Sequence, residues 1–395
     1  MNLLKSETAM KINLIFTRLL LAAVLACSVS GPRAQTPDGS NDDSAAQETG
    51  TIIPEGDSPE GESSVTDQSS ATPFSAAVNA NWDKWSGGQD TVVRADLVPK
   101  LADPAYTGDN AAALAALTFY LRKDRSHIPV SKQDAASLTD PTTMAAYNEM
   151  SAKLKTMSRA VFSSGGPDFE KMQQHPATDC YFYSGTGWIA KYRPDVIKKA
   201  IKTLGEKGYR VTFPSGEDAI VAAPTDAEIA YNDSPMTLQS GIWMSILAKA
   251  EGVLEGQKNE KRAAIADPVL RVDVGGGPEA IVKRWTGKKP VNYRLGEEGD
   301  IKAVRKALVK MAENNLMAEV FARKPKGKIA GNHCYAVMDF DAGTDTVTVW
   351  NPWGNDFTPK GPDGPDFGYA RRHGVFKIPL SEFMRCFSFL SIEKA

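Results

Sequence analysis

Residues Gly331 to Gly354 read GNHCYAVMDFDAGTDTVTVWNPWG. Two strand-forming segments, HCYAVMDFD and TVTVWN, flank the turn-rich tract DAGTD, so the stretch predicts a β-hairpin turning near Gly343. Folding the chain back about that point sets residue 334 or 335 opposite 351. His333 and Asn351 then share the open end of one hairpin. Taken alone, that placement fits a histidine capping a strand beside a turn asparagine as well as it fits a reactive pair.

Working outward, further strands are expected at LMAEVFAR (Leu316 to Arg323), GVFKIPL (Gly374 to Leu380) and FSFLSIE (Phe387 to Glu393). Ahead of them the pattern is helical: RPDVIKKAIKTLGEKGY (Arg193 to Tyr209, leading into a short strand YRVTF), TLQSGIWMSILAKAEGVL (Thr237 to Leu254), EAIVKRWTG (Glu279 to Gly287) and DIKAVRKALVKMAENN (Asp300 to Asn315). A helical half over about 166–262 followed by a β-rich half over about 263–395 is α+β, with room for a cleft between the halves.

Residues 75–165 read as a separate small helical domain, with helices across Asn110 to Lys123 and Thr142 to Phe162. Within it NWDKWSGGQDTVVRADL (Asn81 to Leu97) has the rhythm of an EF-hand loop. With Asp96 last, its first, third and fifth positions are Trp85, Gly87 and Gln89, and Asp90 stands where glycine is required. Calcium is therefore not expected at this loop. Residues 28–74 hold nine acidic residues and one arginine among Ser, Thr, Gly and Pro, the composition of a disordered acidic linker. Residues 1–27 read as an export signal, with Lys11 and Arg18 ahead of an apolar run from Leu19 to Ala26 that is too short to span a bilayer. The ending VLAC resembles a bacterial lipobox. The leader is thus either a signal peptide or a lipoprotein signal that anchors the chain through Cys27, and the expected location is exported: periplasmic, cell-envelope or secreted.

The 395-residue chain has a net charge of -2, which gives no reason to expect a nucleic-acid partner; a lipid at Cys27 is the one membrane contact foreseen. Its four cysteines, Cys27, Cys180, Cys334 and Cys386, contain no CxxC pair, which argues against a zinc site. Beyond the leader three remain, an odd number that leaves a thiol over. In QQHPATDCYFYSGTGWIAKY (Gln173 to Tyr192), Thr178 and Asp179 are N-cap residue types, which puts Cys180 in the first turn of a helix. There the unpaired amides and the helix dipole favour thiolate over thiol. Gly185 and Gly187 are poor helix formers; they permit close packing against the second half. The plainer alternative for Cys180 is a small buried hydrophobe.

Together these segments resemble the calpain family of papain-like cysteine peptidases. The family's glutamine lies six residues before the cysteine of an Asp-Cys pair followed by aromatics, matching Gln174 and DCYF at Asp179 to Phe182. Its Gly-His-Ala-Tyr strand is similar to GNHCYAV, with Asn332 inserted and Cys334 in place of alanine, and its Asn-Pro-Trp-Gly motif is intact at Asn351 to Gly354. GIWMSILAKA (Gly241 to Ala250), GGGPEAIVKRWTG (Gly275 to Gly287) and GVFKIPLSEFMRCFSFLSI (Gly374 to Ile392) follow in family order, so the likeness runs from about Gly166 to Ala395.

The resemblance implies a papain-like core and an endopeptidase acting on proteins or peptides. Cys180 would be the nucleophile, His333 the base and acid, and Asn351 the residue orienting the imidazole. Gln174 and the Cys180 amide would form the oxyanion hole, and Trp353 would shield the His–Asn bond or else be a plain core tryptophan. No cofactor is implied. The calcium-gated animal members carry a glutamate where this chain has Ala248, so a calcium switch is not expected. The helical domain would either inhibit the core or brace it. His127, His175 and His373 read as incidental. Two alternatives remain open: a catalytically silent calpain-like binding module, against which the joint retention of Gln174, Cys180, His333 and Asn351 speaks, and a Cys–His acyltransferase.

Overall fold

The computed structural model describes residues 72–395 apart from 164, 176, 324, 326 and 327 and the side chain of residue 298. The export signal, Cys27 and the acidic linker up to residue 71 lie outside the described residues. Among the described residues no helix is long and apolar enough to cross a membrane.

The first helix, Pro73–Ser86, starts where Thr72 caps the Ser75 amide at 3.1 Å and ends at Gly87 in the left-handed conformation. Strand β1 (Thr91–Val92) and helix Arg94–Leu97 complete a helix–loop–helix unit. A second unit follows: helix Gly108–Tyr120, strand β2 (Val130–Ser131) and helix Lys132–Ala136. The loops pair antiparallel, Thr91 with Ser131 and Val92 with Val130. In the first loop the Asp96 carboxylate turns back to accept the Val93 amide at 2.8 Å, so it caps its own helix. Among the described residues no cluster of three or more His, Cys, Asp or Glu is arranged to hold a metal.

Helix Gly108–Tyr120 is buried from Ala111 to Phe119. Its alanines let it pack closely on helix Pro141–Thr156 and on helix Asp226–Asn232 of the following region. Thr225 donates to the Leu101 carbonyl, Asp226 accepts the Gly108 amide at 3.1 Å, and Arg94 reaches Tyr231 and Asp273. Helix Pro141–Thr156 stops short of the expected Phe162. Residues 160–163 instead bond to the 240–242 segment, where Ile242 donates to Ala160 and Ser163 to Ser240. Gly241 (φ 107°) is required there, because a Cβ would lie 2.4 Å from the Val161 oxygen. The same glycine delays the next helix to Trp243–Lys258; Thr237–Ser240 is a single 3₁₀ turn.

The helix expected over Arg193 to Tyr209 is likewise shorter, Pro194–Ala200. β-branched Ile201 and Thr203 and the left-handed Gly205 and Gly208 turn the rest into a meander of β3 (Ile201–Thr203), β4 (Tyr209–Thr212) and β5 (Asp218–Val221). Helices Pro268–Val272 and Pro278–Thr286 close this half.

The second half is a six-stranded antiparallel sheet of β6 (Val291–Arg294), β7 (Ala318–Ala322), β8 (His333–Asp341), β9 (Thr346–Trp350), β10 (Val375–Pro379) and β11 (Phe389–Ile392), in the order β10-β9-β8-β7-β11-β6. β8 is buried without a break from His333 to Met338, where a one-sided sheet would alternate. Both of its faces are covered. Cys334, Ala336 and Met338 join the core shared with helix Cys180–Tyr192, while Tyr335 and Val337 face a second core that includes Val304, Leu308 and Met311 of helix Ile301–Glu313. Gly185 and Gly187 make the first contact possible: a Cβ at Gly185 would lie 2.8 Å from Ile281, and one at Gly187 would lie 2.1 Å from the Trp350 ring. Trp188 seals the joint by donating to the Val337 carbonyl at 3.1 Å.

Candidate active site

The β8–β9 hairpin turns on Asp341, whose carboxylate accepts the Gly343 amide at 2.8 Å. Ala336 pairs with Trp350, so the register carried one step further sets Tyr335 opposite Asn351. His333 Nε2 lies 2.8 Å from Asn351 Oδ1, and both residues are buried. The Trp353 amide donates to the same Oδ1 at 3.1 Å, which fixes that atom as the oxygen. It can only accept, so Nε2 carries the proton and Nδ1 is the nitrogen left for the thiol. The Trp353 ring lies over the imidazole with centroids 4.5 Å apart and is 42% exposed, so it is a lid on the histidine and no core residue.

Cys180 opens its helix, and its own amide is one of the first-turn N–H groups that have no intrahelical acceptor. Asp179 stands at the N-cap, but its side chain does not cap. The Cys180 thiol is buried and accepts the Cys334 amide at 3.4 Å. Its pKa is held well below the ordinary thiol value, first by a hydrogen bond from the Cys334 side chain and then by the hydrogen bond and charge of His333, with burial acting the other way. The fold thus brings Cys180, His333 and Asn351 into one cluster.

Gln174 is tied to the Asn351 loop by its amide, which donates to the Pro352 carbonyl at 2.7 Å. Its carboxamide nitrogen donates to Ala177 O at 2.8 Å and Asp179 Oδ1 at 2.7 Å. Both hydrogens are engaged, so in this conformation the side chain does not point a donor at a reacting carbonyl. Burial, then Asp273, raises the Asp179 pKa well above its ordinary value.

Of the other histidines, His175 is buried edge-on to Phe119, with its pKa lowered to about 4 by burial and then by Arg122. His373 bonds the Phe169 carbonyl at 3.0 Å. Each of these two histidines is accounted for by its own packing.

Glu319 of β7 was not foreseen. It is fully buried and hydrogen-bonded to the Ser184 hydroxyl, and burial raises its pKa well above the usual value. Ser184 in turn donates to the Cys180 carbonyl at 2.7 Å, which links Glu319 to the nucleophile's helix. An acid in the apolar run LMAEVFA was the available signal. A groove of about 700 Å³ is lined by Gly276, Gly277, Arg294, Phe321, Arg323 and Phe389 among others. Two of these residues adjoin neighbours of the cluster: Phe321 pairs with Cys334 across the sheet, and a Cβ at Gly276 would press on the ring of Tyr181, which follows Cys180.

No protein-family model matches the chain, and no curated protein matches it in sequence.

Proposed function

We propose that the chain is a cysteine endopeptidase of calpain type, acting after export through Cys180, His333 and Asn351. The observation that carries this reading is the 2.8 Å His333–Asn351 bond, which leaves Nδ1 for a thiol whose pKa is depressed at a helix N-terminus.

The Cys180 thiolate attacks the scissile carbonyl carbon. A C–S bond forms and the carbonyl electron pair moves to oxygen, where the Cys180 amide stabilises it. On collapse the C–N bond breaks, and His333 Nδ1 gives its proton to the departing amine. Water, deprotonated by the same nitrogen, then attacks the thioester; the C–S bond breaks and the acid leaves. Asn351 holds the ring throughout, and Trp353 limits the access of water to the His–Asn bond.

Incubation of the full chain with a denatured protein in the presence of a free amine tests the reading. New N-termini without amine incorporation, lost in Cys180→Ala, are expected, and chelator leaves the activity intact. Amine incorporation would identify an acyltransferase, and unaltered substrate with an unlabelled Cys180 would identify a silent binding module.

A further inference from the structure

Cys334 follows the histidine directly in sequence and touches the nucleophile. Its amide donates to Cys180 Sγ at 3.4 Å, and its side chain lies in the core shared with the Cys180 helix, where it lowers the pKa of that sulfur. Cys334 is fully buried, the two cysteines are not bonded to each other, and the buried Glu319 raises the pKa of the Cys334 thiol after burial itself. Beyond holding the Cys180 pKa down, Cys334 takes no part in the bond-making steps of the peptidase reaction. We infer that Cys334 is a resolving thiol, and that Cys180 and Cys334 form a reversible modification site at which a peroxide converts the nucleophile into an intramolecular disulfide.

The inference rests on the reading of Cys180 as an activated thiol. In the first step the Cys180 thiolate attacks one oxygen of hydrogen peroxide. The S–O bond forms, the O–O bond breaks, and the departing hydroxide takes up a proton to become water; sulfur is oxidised and peroxide reduced. In the second step Cys334 sulfur attacks the sulfenic sulfur. The S–S bond forms and the S–O bond breaks, and the hydroxide takes the Cys334 proton to give a second water. Exchange with a dithiol restores both thiols. The placement of Cys334 against the Cys180 sulfur makes the second step intramolecular, so it outruns further oxidation of Cys180 to the irreversible sulfinic acid.

The test uses the full chain, treated with stoichiometric hydrogen peroxide, alkylated, and mapped by mass spectrometry without reduction. The expected result is a cross-linked peptide joining Cys180 and Cys334, a parallel loss of alkylation at both, and full recovery of both after dithiothreitol, with Cys386 unaffected. Cys334→Ala is expected to accumulate sulfinic acid at Cys180 that dithiothreitol does not reverse. Sulfinic acid at Cys180 of the native chain, with Cys334 still alkylated, would overturn the inference while leaving the activated thiol in place. A Cys180 that resists both peroxide and alkylation would overturn the inference together with the peptidase reading. Because mapping the native chain decides the matter, the result does not depend on the variant folding.

Discussion

Gln174 Nε2 donates to Asp179 Oδ1 at 2.7 Å, immediately before the nucleophile, and its other hydrogen goes to Ala177 O at 2.8 Å. Burial, then Asp273, raises the Asp179 pKa and so disfavours its charged form, which makes its oxygen a weaker acceptor than a full oxyanion. As charge develops on the substrate oxygen, it competes for the hydrogen that Asp179 holds. Gln174→Ala is therefore expected to lower kcat by about 10²–10³ with KM little changed. An unchanged kcat would assign the oxyanion entirely to the Cys180 amide.

Trp353 covers the His333 ring yet is 42% exposed, so it contributes more to the site than to the core. Trp353→Ala is expected to change unfolding free energy by about 1 kcal/mol or less while lowering kcat roughly tenfold. Denaturant melts and steady-state kinetics on the same preparation separate the two effects. A large loss of stability with kcat intact would make Trp353 a packing residue.

Gly187 lets the nucleophile's helix lie against Trp350, where a Cβ would come within 2.1 Å of the indole. Gly187→Ala is expected to destabilise the protein by about 1–3 kcal/mol through overpacking. Gly277→Ala, where a Cβ meets nothing within 4 Å, serves as the control and is expected to stay within about 0.5 kcal/mol. Equal melting temperatures for the two variants would contradict the packing account.

These glycines also show how far the residues alone could be read. Strand-forming residue types on either side of a turn-rich tract marked β8 and β9, and residue type with spacing singled out Cys180, His333 and Asn351, because a hairpin and a helix start are local properties. The helix from Arg193 is shorter than its periodicity suggests, since Gly205 and Gly208 act through positive φ and an approach to β5 that no periodicity shows. The second helix–loop–helix unit carries no motif in the sequence, because Lys123, Arg125 and His127 stand where a calcium loop would carry ligands. The engagement of Gln174 by Asp179 and the burial of Glu319 behind Cys334 depend on tertiary packing, which sequence spacing does not encode.

Asp267 lies beside the buried Lys249–Glu228 ion pair and caps Val269 at 2.8 Å. Burial and then Glu228 push its carboxyl up to about 8. Below about pH 4 the group is protonated in both the folded and unfolded chains. As pH rises from there to 8, the unfolded chain releases the proton while the native state keeps it, so the native state loses stability. Asp267→Asn removes this penalty and keeps the capping oxygen. It is expected to stabilise the protein by a few kcal/mol at about pH 7, with no gain at about pH 4. Melting temperatures against pH test this; a gain that did not vary with pH would refute it.

The most direct test of the Cys180–His333 pair is the pH dependence of Cys180 alkylation by iodoacetamide, measured in the native chain and in His333→Ala. A depressed thiol pKa means thiolate persists as pH falls below the ordinary value of about 8.5. The native chain should therefore react well into the acidic range, and the variant's profile should move to higher pH. Superimposable profiles, both centred on the ordinary thiol pKa, would contradict the account.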